Sequence, residues 1–162
     1  MIKVFISYSH EDSNLATEIS NTLGKLKVNY FLDKKDIEWG ANIKQHVDNN
    51  LFDSTHLIVI ISPASLKSLW VPYEIGNANA LGLTILPYLQ HPSIDVPEYI
   101  RHFKNIKSID SIKEYFSRKL TNEISGSYNK QSIISILDRQ EVDKLYPESV
   151  LNVRVWLLMR RC

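Results

Sequence analysis

Apolar residues fall in short runs along this chain, separated by polar stretches rich in helix-capping and turn residues. Leu57-Ile58-Val59-Ile60-Ile61 is a continuous apolar run with no polar alternation. That pattern predicts a strand buried on both faces, of the kind found at the centre of a parallel sheet. Ser62-Pro63 ends the strand, and a polar loop leads to a predicted helix that carries Trp70 and Glu74. One helical turn puts those two on the same face. Proline is tolerated only in a helix's first turn, so Pro72 starts this helix between Ser68 and Val71. Gly82 follows the last periodic residue, where a C-cap glycine belongs. Strand, loop and helix in that order place Trp70 and Glu74 near the carboxyl end of a central strand, the edge at which open α/β sheets bind ligands.

The same alternation runs through the rest of the chain. Lys3 to Tyr8 predicts a first, largely apolar strand. Ser9 to Ser13 is a polar loop ending in N-cap residues. A helix follows to about Leu23, with Leu15, Ile19, Thr22 and Leu23 on one face and Gly24 as its C-cap. Val28 to Asp33 predicts a second strand, Asp33 to Asn42 a charged loop, and Ile43 to Leu51 a short helix. Leu83 to Tyr88 predicts a fourth strand, with Pro87 suiting a strand end or a sheet edge. Leu89 to Phe103 reads as a long irregular connection, and Ile106 to Ile109 as a short fifth strand. Asp110-Ser111 caps a helix through Leu120, with Ile112, Tyr115, Phe116 and Leu120 as its apolar stripe. Five strand–helix alternations predict an α/β fold with a parallel sheet. The module is expected to close near Ile124. Ser125-Gly126-Ser127 reads as a linker to a helical tail that includes Ile133, Ile134 and Leu137, then Val150, Leu151, Val155 and Trp156.

Composition narrows the function classes. The 162 residues are 44% hydrophobic, enough for one ordinary domain core. A net charge of +1 with no long basic run gives no support to nucleic-acid binding. The one cysteine is Cys162, so no internal disulfide, zinc site or cysteine nucleophile is expected. No run approaches a membrane span, and the first residues enter a strand pattern without a signal-peptide layout. The expectation is a cytoplasmic protein that acts away from membranes.

Three stretches, in order, resemble the TIR family (Toll, interleukin receptor and resistance proteins), in particular its prokaryotic NAD-cleaving members. Phe5 to Asp12 (FISYSHED) resembles the family's first box. Phe31 to Ile43 (FLDKKDIEWGANI) resembles the second strand and the BB loop after it. Leu57 to Ile75 (LIVIISPASLKSLWVPYEI) resembles the third strand and the region with the Trp-x-x-x-Glu motif. The resemblance implies a TIR domain over residues 1–124 and leaves 125–162 as a helical extension outside it. It implies a flavodoxin-like five-stranded parallel sheet of order 2-1-3-4-5 with helices on both faces. The loop after strand 1 and the segment after strand 3 would then line one crevice at the switch point.

Some TIR domains are scaffolds that recruit other TIR domains, and others cleave NAD at the nicotinamide–ribose bond. The resemblance implies Glu74 as the catalytic carboxylate, with NAD as substrate and no further cofactor or metal. It implies defence or cell-death signalling as the setting. Nicotinamide leaves as a neutral base, and the difficulty is the positive charge that develops on the ribose. A carboxylate held against that sugar stabilises it. A position near a helix N-terminus favours the ionised carboxylate.

By the same resemblance Tyr8, Ser9, His10, Glu38, Trp39 and Trp70 would contact substrate. The BB loop Lys34, Lys35, Asp36, Ile37, Glu38, Trp39 and Gly40 would serve self-association into a homo-oligomer or filament. Ordinary readings stand beside these: Trp70 as a core residue, His10 as a surface histidine, Glu38 as one charge among several in a solvated loop. Relatives with basic residues after the tyrosine differ from this chain, which has Ser9 and His10 there. Two further functions fit the same crevice: a non-enzymatic adaptor, and a nucleotide sensor without turnover.

Overall fold

The computed structural model describes residues 1–32 and 43–137, with side chains in the last helix described as far as Glu123. Four parallel strands, β1 (Lys3–Ser7), β2 (Asn29–Leu32), β3 (His56–Ile61) and β4 (Thr84–Leu89), form one sheet in the order β2-β1-β3-β4. Four α-helices connect or follow them: α1 (Ser13–Lys25), α2 (Ile43–Phe52), α3 (Trp70–Ala80) and α4 (Ile109–Leu137).

The apolar runs form the centre of the sheet because they can be buried on both faces. Every residue of β3 is buried, and Val4, Phe5 and Ile6 of β1 have no exposed surface. Strand parity sorts these side chains between two cores. Val4, Ile6, Ile58 and Ile60 join Ile19 and Leu23 of α1 and Ile112 and Phe116 of α4. Phe5, Leu57, Val59 and Ile61 join Val47 and Leu51 of α2 and Val71 and Ile75 of α3. The sheet is thus covered on both sides, the doubly wound arrangement.

The expected fifth strand is a single parallel bridge, Tyr88↔Ile106. The Ile106 amide donates to the Pro87 carbonyl at 2.7 Å, and the Leu89 amide donates back to Ile106 at 3.0 Å. The shortfall has a local cause. Ile106 is buried between half-buried Asn105 and exposed Lys107. Ser108 then accepts the Ser111 amide at 3.2 Å and starts α4. The flavodoxin-like order therefore holds over four strands.

Two boundaries also differ from expectation. Gly24 is not the cap of α1: the helix runs to Lys25, Leu26 caps it, and Lys27 takes the left-handed turn at φ 57°. The Ser125-Gly126-Ser127 stretch expected to be a linker has helical backbone within α4. The chain divides into two compact units, Met1–Leu120 and Thr121–Cys162. Among the described residues no helix is long and apolar enough to cross a membrane. The expected tail positions Val150, Leu151, Val155 and Trp156 lie outside the described residues.

Candidate active site

The carboxyl ends of β1 and β3 carry polar residues where each strand's apolar pattern stops. Ser7 continues the parity of Phe5 and so faces the α2/α3 side of the sheet. There its hydroxyl donates to the carboxylate of Glu74. Ser7 has no exposed surface and Glu74 is 3% exposed, so the pair sits inside the protein. Glu74 is thus not a solvated helix glutamate. It lies in the second turn of α3, and Pro72 in the first turn explains why the helix begins where it does.

Beyond the strands, Asp12 is buried as well, at 4% exposure. The Ser62 hydroxyl donates to it at 2.6 Å and the Gln90 amide at 3.2 Å. Asp12 follows β1, Ser62 follows β3 and Gln90 follows β4, so one carboxylate joins the chain beyond three strand ends. Ser7, Asp12 and the Ser62–Ser65 pair are missed when the sequence is read for motifs alone. The signals were a serine at a core-facing strand position and serines recurring at every third residue from 62 to 68.

The remaining expected site residues are dispersed. Tyr8 is 5% exposed and belongs to the core on the α1/α4 side, the opposite face from Glu74. Ser9 is half-buried, and its carbonyl accepts the Asp12 amide at 2.8 Å. His10 is exposed at the start of a 3-10 turn, His10–Asp12. Trp70 is 41% exposed, with its ring edge-on to Tyr73 at 5.8 Å, so the core reading of Trp70 does not hold. Lys34, Lys35, Asp36, Ile37, Glu38, Trp39 and Gly40 lie outside the described residues.

A second polar cluster joins α2 to α3. Asp48 accepts from Lys44 at 2.7 Å, from the Tyr73 hydroxyl at 2.8 Å and from Asn77 at 3.0 Å. Hydrogen bonds from Lys44 and then from Tyr73 hold the Asp48 carboxyl below its ordinary pKa, and the bond to Asp48 raises that of Lys44. These residues border a cavity of about 420 Å³ floored by Leu51, Phe52 and Leu81. A smaller one, about 260 Å³, lies between α3 and Tyr99–Phe103. Glu74 lines neither.

A doubly wound parallel module with a buried carboxylate at the carboxyl edge of its central strands is the class of protein that fold and site define. The chain belongs to the TIR domain family, whose profile matches residues 4–125. It is 30% identical over 75 residues to the 2′ cyclic ADP-D-ribose synthase AbTIR of Acinetobacter baumannii, covering 46% of this chain and 28% of that protein. It is 27% identical over 74 residues to the 2′ cyclic ADP-D-ribose synthase BtTIR of Bacteroides thetaiotaomicron, covering 45% and 26%. The chain thus matches little more than a quarter of each relative's length. Among solved structures, the TIR domain of the Toll-related receptor TRR-2 from Hydra magnipapillata superposes with a TM-score of 0.59. That match has 22% identity and covers 75% of this chain and 97% of that one, a likeness of fold.

Proposed function

We propose that this protein cleaves NAD at the nicotinamide–ribose bond, with Glu74 as the carboxylate that stabilises the charge on the ribose. The observation that carries the reading is the burial of Glu74 at the sheet's carboxyl edge with a Ser7 hydroxyl on it. A group so placed is preorganised, and in a water-poor site its charge acts more strongly than in solvent. The similarity to two cyclic ADP-ribose synthases supports the same chemistry.

In the proposed step the bond between ribose C1′ and the pyridinium nitrogen breaks, and its electron pair leaves with nicotinamide as a neutral base. Positive charge spreads over C1′ and the ring oxygen beside the Glu74 carboxylate. Water then attacks C1′ and releases a proton, giving ADP-ribose; a ribose hydroxyl of the same molecule in place of water gives a cyclic product. NAD is the substrate and the balance requires no cofactor. Exposed Trp70 and His10 and half-buried Ser9 are the described candidates to hold the substrate. Glu38 and Trp39 are proposed on the family motif alone.

At 3% exposure Glu74 offers a ribose little surface, so the crevice must open for turnover. Self-association through Lys34 to Gly40 is the proposed trigger, and specific activity then rises with protein concentration. The test is nicotinamide release, with products separated by chromatography, at high protein concentration or with a crowding agent. Glu74→Gln keeps the shape and removes the charge; a loss of about a hundredfold or more is expected. A variant as fast as the parent removes Glu74 from the mechanism.

A second reading, an adaptor, rests on Leu66, Leu69 and Trp70. These are 39%, 90% and 41% exposed in one short segment, which suits a protein contact. Under that reading, partner binding survives Glu74→Ala and is lost with changes in Lys34 to Gly40.

A further inference from the structure

Ser62, Ser65 and Ser68 occupy every third position between β3 and α3, and hydrogen bonds join them into a line. The Ser62 amide donates to the Ser65 hydroxyl oxygen at 2.9 Å, and the Ser65 amide donates to that of Ser62 at 3.0 Å. The Ser65 hydroxyl donates to the Ser62 carbonyl at 3.1 Å. The Ser68 amide donates to the Ser65 carbonyl at 3.0 Å. The Ser68 hydroxyl oxygen accepts the amide of Trp70, the first residue of α3, at 3.2 Å.

Asp12 lies at the other end of this line. From sequence it is a helix N-cap, and it does precede α1, but its side chain makes no capping bond. Its two oxygens accept instead from Ser62 and from Gln90. Burying a carboxylate is unfavourable unless hydrogen bonds replace its water. Here those bonds come from the segments beyond β3 and β4. The stretch Ser7 to Asp12 is therefore tied to α3 twice, at one end by Ser7 on Glu74 and at the other by Asp12 through the serines.

We propose that Asp12 is a positioning residue for Glu74: through Ser62, Ser65 and Ser68 it fixes where α3 begins, and hence where the Glu74 carboxylate lies relative to Ser7. The proposal rests on the NAD-cleavage reading and adds to it a residue that does not touch substrate. Asp12→Asn turns one acceptor oxygen into a donor that faces the Ser62 hydroxyl or the Gln90 amide. Ser62→Ala removes the Asp12–Ser62 hydrogen bond from the other side, and with it the acceptor of the Ser65 amide. Small displacements of reacting groups cost large factors in rate, so each variant is expected to lower kcat about tenfold or more. KM should change by a smaller factor than kcat, because neither variant replaces a residue proposed to touch substrate. The loss in the double variant should be smaller than the product of the two single losses, since the two substitutions share the Asp12–Ser62 bond.

The experiment measures kcat, KM, thermal midpoint and amide hydrogen exchange by mass spectrometry on the full chain. Exchange should quicken in peptides spanning 8–13 and 62–74 and stay parental in β2 and α2. A folded Asp12→Asn variant with parental kcat overturns the proposal. If Asp12→Asn does not fold, Ser62→Ala decides on the same terms. A parent that releases no nicotinamide at any concentration defeats the NAD reading instead. Positioning by Asp12 then stands if exchange loosens locally in 62–74 and falls if it does not.

Discussion

The hydroxyl of Ser7, on β1, donates a hydrogen bond to the carboxylate of Glu74, on α3, and both residues are buried. This contact joins the first strand to the helix that follows the third. Under the proposed NAD cleavage it has separable consequences for stability and for catalysis. Ser7→Ala leaves a buried carboxylate short of one donor, at an expected cost of about 1–3 kcal/mol. Glu74→Gln keeps an acceptor for Ser7, so its stability should stay within about 1 kcal/mol of the parent while turnover is lost. Thermal or urea unfolding of the two variants checks this. A Ser7→Ala protein as stable as the parent would mean that the contact contributes nothing to the fold.

The central strands were legible because both faces are apolar: β3 and β1 need no context to be read as buried. Glu74 was legible as part of a motif, although its burial was not, since nothing in the local sequence marks a partner on another strand. Asp12 was legible as the residue before α1, where it does lie, but its bonds to Ser62 and Gln90 were not, because only the fold creates them. The fifth strand was over-read because Ile106 and Ile109 look like a strand's apolar positions, whereas Ser108 starts a helix between them. The assignment of Gly24 as a cap failed on a finer point.

Both α1 and α3 end in the same hydrogen-bond pattern, with a glycine at the left-handed position in one and a lysine in the other. In α3 the Gly82 amide donates to Asn79 at 3.1 Å and the Leu83 amide to Ala78 at 2.9 Å, with Gly82 at φ 72°. In α1 the Lys27 amide donates to Gly24 at 3.0 Å and the Val28 amide to Leu23 at 3.0 Å, with Lys27 at φ 57°. A side chain in that conformation costs roughly 1 kcal/mol. Gly82→Ala is therefore expected to destabilise and Lys27→Gly to stabilise, each by about that amount. Gly24, inside the helix, should gain about 0.5–1 kcal/mol as alanine, its new Cβ meeting Tyr30 at an ordinary 3.8 Å. Urea denaturation of the three variants tests the signs.

The Asp48 cluster gives the α2–α3 contact a pH dependence. The Asp48 pKa is lowered in the folded protein, first by the hydrogen bond from Lys44 and then by that from Tyr73. A depressed folded pKa contributes stability that is present above the unfolded value, about 3.9 for aspartate, and is lost as pH falls through the folded value. Lys44 is well exposed, so solvent and salt screen its share. Asp48→Asn should therefore lower the thermal midpoint at pH 7 and make progressively less difference below about pH 4. Equal destabilisation at pH 7 and pH 3 would assign the contact to packing instead.

Trp70 separates the enzyme from the adaptor. It begins α3, is 41% exposed and touches Tyr73 edge-on, so more than half of its surface is covered and truncation also removes packing. Trp70→Ala is accordingly expected to lower stability by about 1–3 kcal/mol, so its kinetics are read on protein shown to be folded. If the indole is a stacking surface for the substrate, losing it should raise KM for NAD, and stacking energies of about 1–3 kcal/mol correspond to roughly 5- to 150-fold. Trp70→Phe, which keeps an aromatic face, should recover part of that loss. If the indole is instead part of a protein contact with Leu66 and Leu69, Trp70→Ala and Leu69→Ser should weaken self-association alike. In that case activity should recover at higher protein concentration with KM unchanged. Steady-state kinetics across a concentration series, paired with light scattering on the same samples, separates the two. A KM shift that persists at saturating protein concentration assigns Trp70 to the substrate. A loss that vanishes there, and that Leu69→Ser reproduces, assigns it to the contact between chains.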